Sequence, residues 1–207
     1  MLILGLVGGI ASGKSLVGNI LRDMGAVVLD ADQAGHHVLR QPEIIADLRQ
    51  RWGDKILDAK GQISRREVAR LVFASGQEAE RKYLEQLTHP RITALLEKEL
   101  QDIRNSPNPP PVVVLDAPLL FEAGWDKFCD KIMFVDAPRD LRLERAVARG
   151  WSTEQFAARE ASQMPLTEKA ARSQIIVRNA RTLENIRDVL RLTWRHRLIG
   201  ENSESNP

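Results

Sequence analysis

The chain has 207 residues, 43% of them hydrophobic and 28% charged, which fits one compact domain and excludes disordered and fibrous classes. A single cysteine, Cys129, excludes an internal disulfide and a cysteine-based zinc cluster, and no run of 18 apolar residues marks a membrane span. Thirty Lys and Arg against 28 Asp and Glu leave a net charge of +2, and no basic stretch is interleaved with the 5% of aromatic residues, so composition offers no nucleic-acid or membrane surface. The expectation is a soluble cytoplasmic protein.

In chain order, short apolar runs alternate with longer helical periods, the pattern of a parallel sheet covered by helices. Leu2 to Val7 reads as a strand buried on both faces. After a glycine-rich turn, Val17, Ile20, Leu21 and Met24 recur at helical spacing, and Gly25 ends that helix. Ala26 to Asp30 is a second strand. Some 80 residues with only helical periods follow, too many for a simple crossover. Within them Val68, Leu71 and Val72 mark one helix and Ile92, Leu95, Leu96 and Leu100 another, with Pro90 expected in its first turn. Val112 to Asp116 is a third strand, Lys131 to Asp136 a fourth and Gln174 to Arg178 a fifth. Arg139 to Ser173 is helical and arginine-rich. A last helix carries Leu183, Ile186, Leu190 and Trp194 on one face, and residues 201–207 lack an apolar anchor.

The strongest chemical signal is Gly8, Gly9, Ile10, Ala11, Ser12, Gly13, Lys14 and Ser15, a complete G-x-x-x-x-G-K-[ST] between a buried strand and an amphipathic helix. Glycines let the backbone wrap so that its N–H groups face phosphate oxygens, and the helix adds its positive end. Lys14 is placed to reach the β- and γ-phosphates of ATP, and the Ser15 hydroxyl to ligate Mg2+. A random chain of this length matches the pattern about once in a hundred.

Asp30 and Asp32 follow the second strand, and Asp116 ends the third. Ligands of open α/β sheets bind outside the carboxyl ends of strands, so these groups are candidates to position Mg2+ or to accept a proton from an attacking hydroxyl. Helix caps and turn formation are the structural alternatives for the same residues. Glu122 lies in the loop after Asp116. Arg142, Arg145 and Arg149 fall at i, i+3 and i+7, with Arg159 further on. They read either as a set closing over the γ-phosphate or as a solvated, salt-bridged helix. The four histidines show no metal-ligand spacing, and His89-Pro90 reads as a helix-entry feature or an acceptor contact.

Taken together, GLVGGIASGKS, VVLDAD, GQISRREV, LTHP, LDAPLLFE, FVDAP, RAVARGWST, Arg159 to Met164 and IVRN resemble the dephospho-CoA kinase family over residues 1 to 198. The resemblance implies a three-layer P-loop α/β fold with a mainly parallel central sheet flanked by helices. Its core would be 1–33 with 105–138 and 174–200, its helical acceptor-binding (CoA) region 34–104, its lid 139–173, and its disordered tail 201–207. It implies transfer of the γ-phosphate of ATP, with Mg2+, to the ribose 3′-hydroxyl of dephospho-CoA. Carried onto this chain, Asp32 is the base, and Lys14, Arg145 and Arg149 act on phosphate. Gly8 to Leu16 and Asn179 hold the nucleotide, and Ser15 and Asp116 the metal. His36, His89, Leu119, Leu120 and Glu122 line the acceptor side. Leu16 replaces a usual threonine, His36 a usual arginine, and Ser173-Gln174 a usual Ala-Asp. A monomer is expected. Another P-loop small-molecule kinase and a nucleotide-dependent switch remain as alternatives; no guanine-reading Asn-Lys-x-Asp is present.

Overall fold

The computed structural model describes residues 1–74, 76–180 and 182–200, so the expectation for residues 201–207 lies outside the described residues. The chain divides into two compact units: Met1–Asp30 with the described residues from Asp102 onward, and Ala31–Gln101.

The first unit is built on five parallel strands, β1 (Leu2–Gly8), β2 (Val27–Asp30), β3 (Val112–Asp116), β4 (Lys131–Asp136) and β5 (Ile175–Arg178), in the order β2-β3-β1-β4-β5. The central strands are apolar throughout because both faces are covered: Leu4, Leu6, Val112, Val114, Met133 and Val135 are buried. Helix α1 (Lys14–Asp23) contributes Val17, Ile20 and Leu21 to that core. Sequence and structure agree on all five strands to within one residue at each end. Gln174 lies just before β5. Its backbone N–H donates to the Ile132 carbonyl at 3.0 Å and its side-chain oxygen accepts from the Ile132 N–H at 2.8 Å, so the ladder continues past the strand.

Parallel register puts every strand's carboxyl end at one edge. Leu6 aligns with Asp116, and Asp116 with Asp30. The P-loop leaves β1 at that edge, and the chain reverses there between the β3 side and the β4 side, the topology that favours a ligand site.

The second unit is helical: α2 (Ala31–Val38), α3 (Pro42–Trp52), α4 (Arg65–Val72) and most of α5 (Glu78–Arg104). Two expectations are corrected here. Leu57 and Ile63 form an isolated antiparallel bridge, so the stretch is not purely helical. Its turn is closed by Asp58, whose Oδ1 accepts from Lys60 N at 2.8 Å and Gln62 N at 2.9 Å, bonds that lower the carboxyl pKa. Ser64 then caps α4 through the Glu67 N–H. Pro90 does not open a helix but sits inside the 27-residue α5. Proline removes one backbone donor there. Side-chain donors gather around it: Thr88 Oγ1 to Leu84 O at 2.8 Å, Arg91 Nη1 to Leu87 O at 2.9 Å, and Thr93 Oγ1 to His89 O at 2.8 Å.

The arginine-rich segment forms α6 (Arg139–Val147), α7 (Thr153–Ala161) and α8 (Leu166–Ala171), all within the first unit. The last helix, α9 (Leu183–Thr193), continues as a π-helical turn to Leu198. Ile186, Leu190 and Trp194 are buried as expected, but Leu183 in its first turn is exposed. No helix among the described residues is long and apolar enough to cross a membrane.

Candidate active site

Between β1 and α1 the chain makes a tight cradle. Ser12 N donates to Gly9 O at 3.0 Å, and Ala11 sits at φ 57, a left-handed conformation rare outside glycine. Gly13 has φ 96, and a Cβ there would collide with Nδ2 of Asn179; one at Gly8 would meet Val135 O at 2.7 Å. The first N–H groups of α1 have no intrahelical partners by construction, so they and the helix dipole face an incoming anion. Ser12 Oγ is buried with no hydrogen-bond partner in the described protein, a donor left over at the cradle.

The carbonyls of the cradle are held from outside the loop. Asn179 Nδ2 donates to Ser12 O at 2.7 Å, and Arg145 Nη1 approaches the same oxygen at 3.3 Å. Arg145 Nη2 also donates to Asn179 O at 3.3 Å, while Asn179 N donates to Asp136 O at 2.7 Å at the end of β4. Arg142, with its side chain only 4% exposed, donates from Nε to Ala137 O at 3.1 Å and pairs with Glu160 at 2.6 Å; its Nη1 lies 3.5 Å from Ile10 O. Glu160 also takes Arg139 at 3.0 Å, which fastens α7 to α6. Carbonyls drawn outward in this way leave the amide side of the loop turned to the ligand.

These contacts sort the arginines. Arg142 and Arg145 lie in α6 and touch the P-loop backbone. Arg149 does not share their helix face, because α6 ends at Val147 and Arg149 lies exposed in the following turn. Arg159 stacks 4.1 Å from the Trp151 ring. Asn179 is 4% exposed and bonded to the loop itself. Arg142 was legible only as one arginine in a series; its burial comes from Glu160 and Phe156 on α7, which the spacing of α6 alone does not reveal.

Past β3 the residues separate by role. Asp116 stands level with Asp30 on the neighbouring strand, and adjacent strands run about 4.8 Å apart. Leu120 is fully buried against Gly5 and is a core residue, which corrects its placement on the acceptor side; Leu119 is half-buried. Glu122 accepts from Lys169 Nζ at 2.8 Å and from Met164 N at 2.8 Å. Lys169 is fully buried and had no sequence signal, since one lysine in a polar helical stretch looks like any solvated one.

In the second unit, Asp32 is exposed in the first turn of α2 and follows Asp30 by two residues. His36 Nδ1 lies 3.4 Å from Arg65 Nη1. His89 is half-buried in α5, and burial, opposed by Glu85, pushes its pKa down, so the ring is neutral at pH 7. Among the described residues no group of three or more His, Cys, Asp or Glu forms a metal cluster. The Ser15 hydroxyl and the Asp116 carboxylate offer hard oxygens. That set fits Mg2+, which takes few protein ligands and completes its shell with phosphate and water.

The profile of the dephospho-CoA kinase family matches residues 2–185. The chain belongs to the dephospho-CoA kinase family. Among its curated relatives, the dephospho-CoA kinase of Symbiobacterium thermophilum is 37% identical over 206 residues, covering 99% of this chain and 84% of that one. The Geobacter sulfurreducens dephospho-CoA kinase is 40% identical over 199 residues, covering 95% and 99%. Among solved structures, dephospho-CoA kinase from Campylobacter jejuni superposes with a TM-score of 0.70 at 25% identity, covering 97% of this chain and 98% of that one. Shikimate kinase from Aquifex aeolicus, at TM-score 0.51 and 20% identity over 96% and 99%, shares the fold. Within the dephospho-CoA kinase family, the P-loop, the strand-end carboxylates and the arginine helix therefore belong to a phosphotransferase.

Proposed function

We propose the following division of labour for the transfer that defines the family, from ATP to the ribose 3′-hydroxyl of dephospho-CoA, the final step of coenzyme A synthesis. The P-loop cradle from Gly8 to Leu16 binds the ATP phosphates through its backbone amides and the N-terminus of α1, and Lys14 reaches the β- and γ-phosphates. Asn179 and Arg145 keep the cradle in its binding shape by holding the Ser12 carbonyl. Ser15 and Asp116 would hold Mg2+, which when bound would neutralise phosphate charge.

Asp32 accepts the proton of the attacking hydroxyl. It follows immediately on the strand end that carries Asp30, and its exposure leaves it accessible to an acceptor. His36 and His89, with Leu119, serve the acceptor, while Glu122 is taken up by Lys169 and the Met164 N–H. His89 does so as a neutral imidazole, because its pKa is lowered by burial. Arg145 and Arg149 supply guanidinium charge to the transferring phosphoryl group, Arg149 from an exposed turn that leaves it unobstructed.

The observation that carries this reading is the P-loop held in a left-handed, side-chain-braced turn at the carboxyl edge of a parallel sheet, in a chain whose family is established over residues 2–185. The test is ADP release with Mg-ATP against dephospho-CoA, AMP, adenosine and no acceptor. Turnover confined to dephospho-CoA is expected. Equal turnover on AMP or adenosine would contradict the acceptor assignment, and blank-level release throughout would contradict catalysis.

A further inference from the structure

Lys169, in the short helix α8, carries a charge into a place where none is exposed. Its side chain has no accessible surface. Nζ donates to the carbonyl of Pro118 at 2.7 Å and pairs with Glu122 Oε1 at 2.8 Å. An ammonium removed from water costs several kcal/mol unless it is paired and bonded. A methionine of similar length would fill the same space, so packing alone does not call for the charge.

What the charge joins is specific. Pro118 lies two residues after Asp116 at the end of β3. The same Glu122 oxygen accepts the Met164 N–H just before α8, and Arg172 at the far end of α8 pairs with Asp126 at 2.9 Å and stacks 4.1 Å from the Phe121 ring. At the front of α8, Leu166 lies against Gly9: a Cβ on that glycine would meet its Cδ1 at 3.0 Å. One helix therefore touches the P-loop at its start and ties down the turn after Asp116 through Lys169. The Lys169 ammonium is also close enough to sense Lys14. Its pKa is lowered chiefly by burial and also by Lys14, against the pull of Glu122.

We propose that Lys169 is a positioning residue for phosphoryl transfer, locking the Asp116–Pro118 turn and the P-loop in one fixed relation through α8. Its Nζ has both its named acceptors inside the protein and is shielded from solvent, so it acts through Asp116 and the loop. The inference rests on the phosphotransfer reading above.

The test compares wild type, Lys169→Met, Lys169→Arg and Glu122→Gln in steady-state kinetics, with calorimetric Mg-ATP affinity and thermal melting alongside. Lys169→Met should fold, bind Mg-ATP within about threefold of wild type, and lose turnover by about tenfold or more, the size of effect that a displaced supporting group produces. Lys169→Arg keeps the charge at the cost of a bulkier head group, and should lose less turnover than Lys169→Met. If Lys169→Met does not fold, Glu122→Gln should show the same split between affinity and turnover in smaller degree. Wild-type turnover in Lys169→Met or Glu122→Gln would overturn the proposal. So would equal damage in Lys169→Arg and Lys169→Met, or a loss of ATP affinity matching the loss of turnover. Should wild type phosphorylate a different acceptor, the acceptor reading fails, and the same ratios on that acceptor still decide the role of Lys169.

Discussion

Replacing Gly13 by alanine perturbs two things, and the structure separates them. The residue sits at φ 96, and its new Cβ would collide with the Asn179 amide. Gly25 provides the control: it has φ 103 in the same unit with no atom within 4 Å of its Cβ position. Both substitutions meet the left-handed penalty of about 1–2 kcal/mol. Only Gly13→Ala also drives Asn179 Nδ2 off the buried Ser12 carbonyl, a further cost of about 1–3 kcal/mol. At about 3 °C per kcal/mol for a domain of this size, thermal melting should fall by about 3–6 °C for Gly25→Ala and by about 6–15 °C for Gly13→Ala. Asn179→Ala loses the same bond without the clash. In its background Gly13→Ala should cost only the backbone term, a coupling of about 2 kcal/mol. Calorimetric melting of the four Gly13 and Asn179 combinations plus Gly25→Ala measures all of this. Equal shifts for Gly13→Ala and Gly25→Ala, or strictly additive Gly13 and Asn179 effects, would refute the claim that Asn179 braces the loop.

Lys14→Ala should abolish turnover. Arg149→Ala should leave the melting temperature within about 1–2 °C of wild type, as expected for an exposed turn residue, and lower kcat more than ATP affinity. Arg142→Ala should instead destabilise by about 1–3 kcal/mol through its lost buried hydrogen bonds, Glu160 keeping Arg139; an unchanged urea midpoint would show that the buried guanidinium contributes nothing. Stability should also depend on His89. Its folded pKa lies below the unfolded value of about 6.5, so the folded state binds fewer protons, and the contribution is complete above about pH 6.5 and lost as pH falls towards the folded value. The drop in urea midpoint from pH 7.5 to 5.5 should therefore be smaller in His89→Gln than in wild type. Cys129, pushed up to about 12 by burial and by Asp126 and Asp130, should resist iodoacetamide at pH 8 in the native protein and react after denaturation.

The central strands β1, β3 and β4 were legible because both their faces are buried, whereas β2 and β5 at the sheet edges, with Val27 and Ile176 exposed, showed only as short β-branched runs; the P-loop was legible because its glycines answer a backbone requirement that only a few residue types meet. Pro90 was misplaced for a physical reason. Propensity puts proline at helix starts, but here the 27-residue α5 runs on through it with the loss of one backbone donor, a continuation that local propensity does not signal. Leu120 and Glu122 sit two residues apart in one loop and read alike in sequence. Tertiary contacts make one a core residue beside Gly5 and the other the partner of Lys169, 47 positions on. The arginines of α6 divide in the same way, into Arg142 and Arg145 on the loop and Arg149 beyond the helix, because helix length, not spacing, decides which of them face inward. Long-range pairing of charges is what a single sequence conceals.

The central claim is transfer from ATP to the ribose of dephospho-CoA with Asp32 as base, and one measurement addresses it: passage of label from γ-labelled ATP into authentic CoA, by wild type and by Asp32→Asn at matched ATP occupancy. The account predicts stoichiometric labelling at the 3′-phosphate by wild type. It predicts a loss of about a hundredfold or more in the variant with ATP binding retained, as for removal of a general base. Label appearing in inorganic phosphate or elsewhere on the acceptor, or near-wild-type labelling by Asp32→Asn, would contradict it.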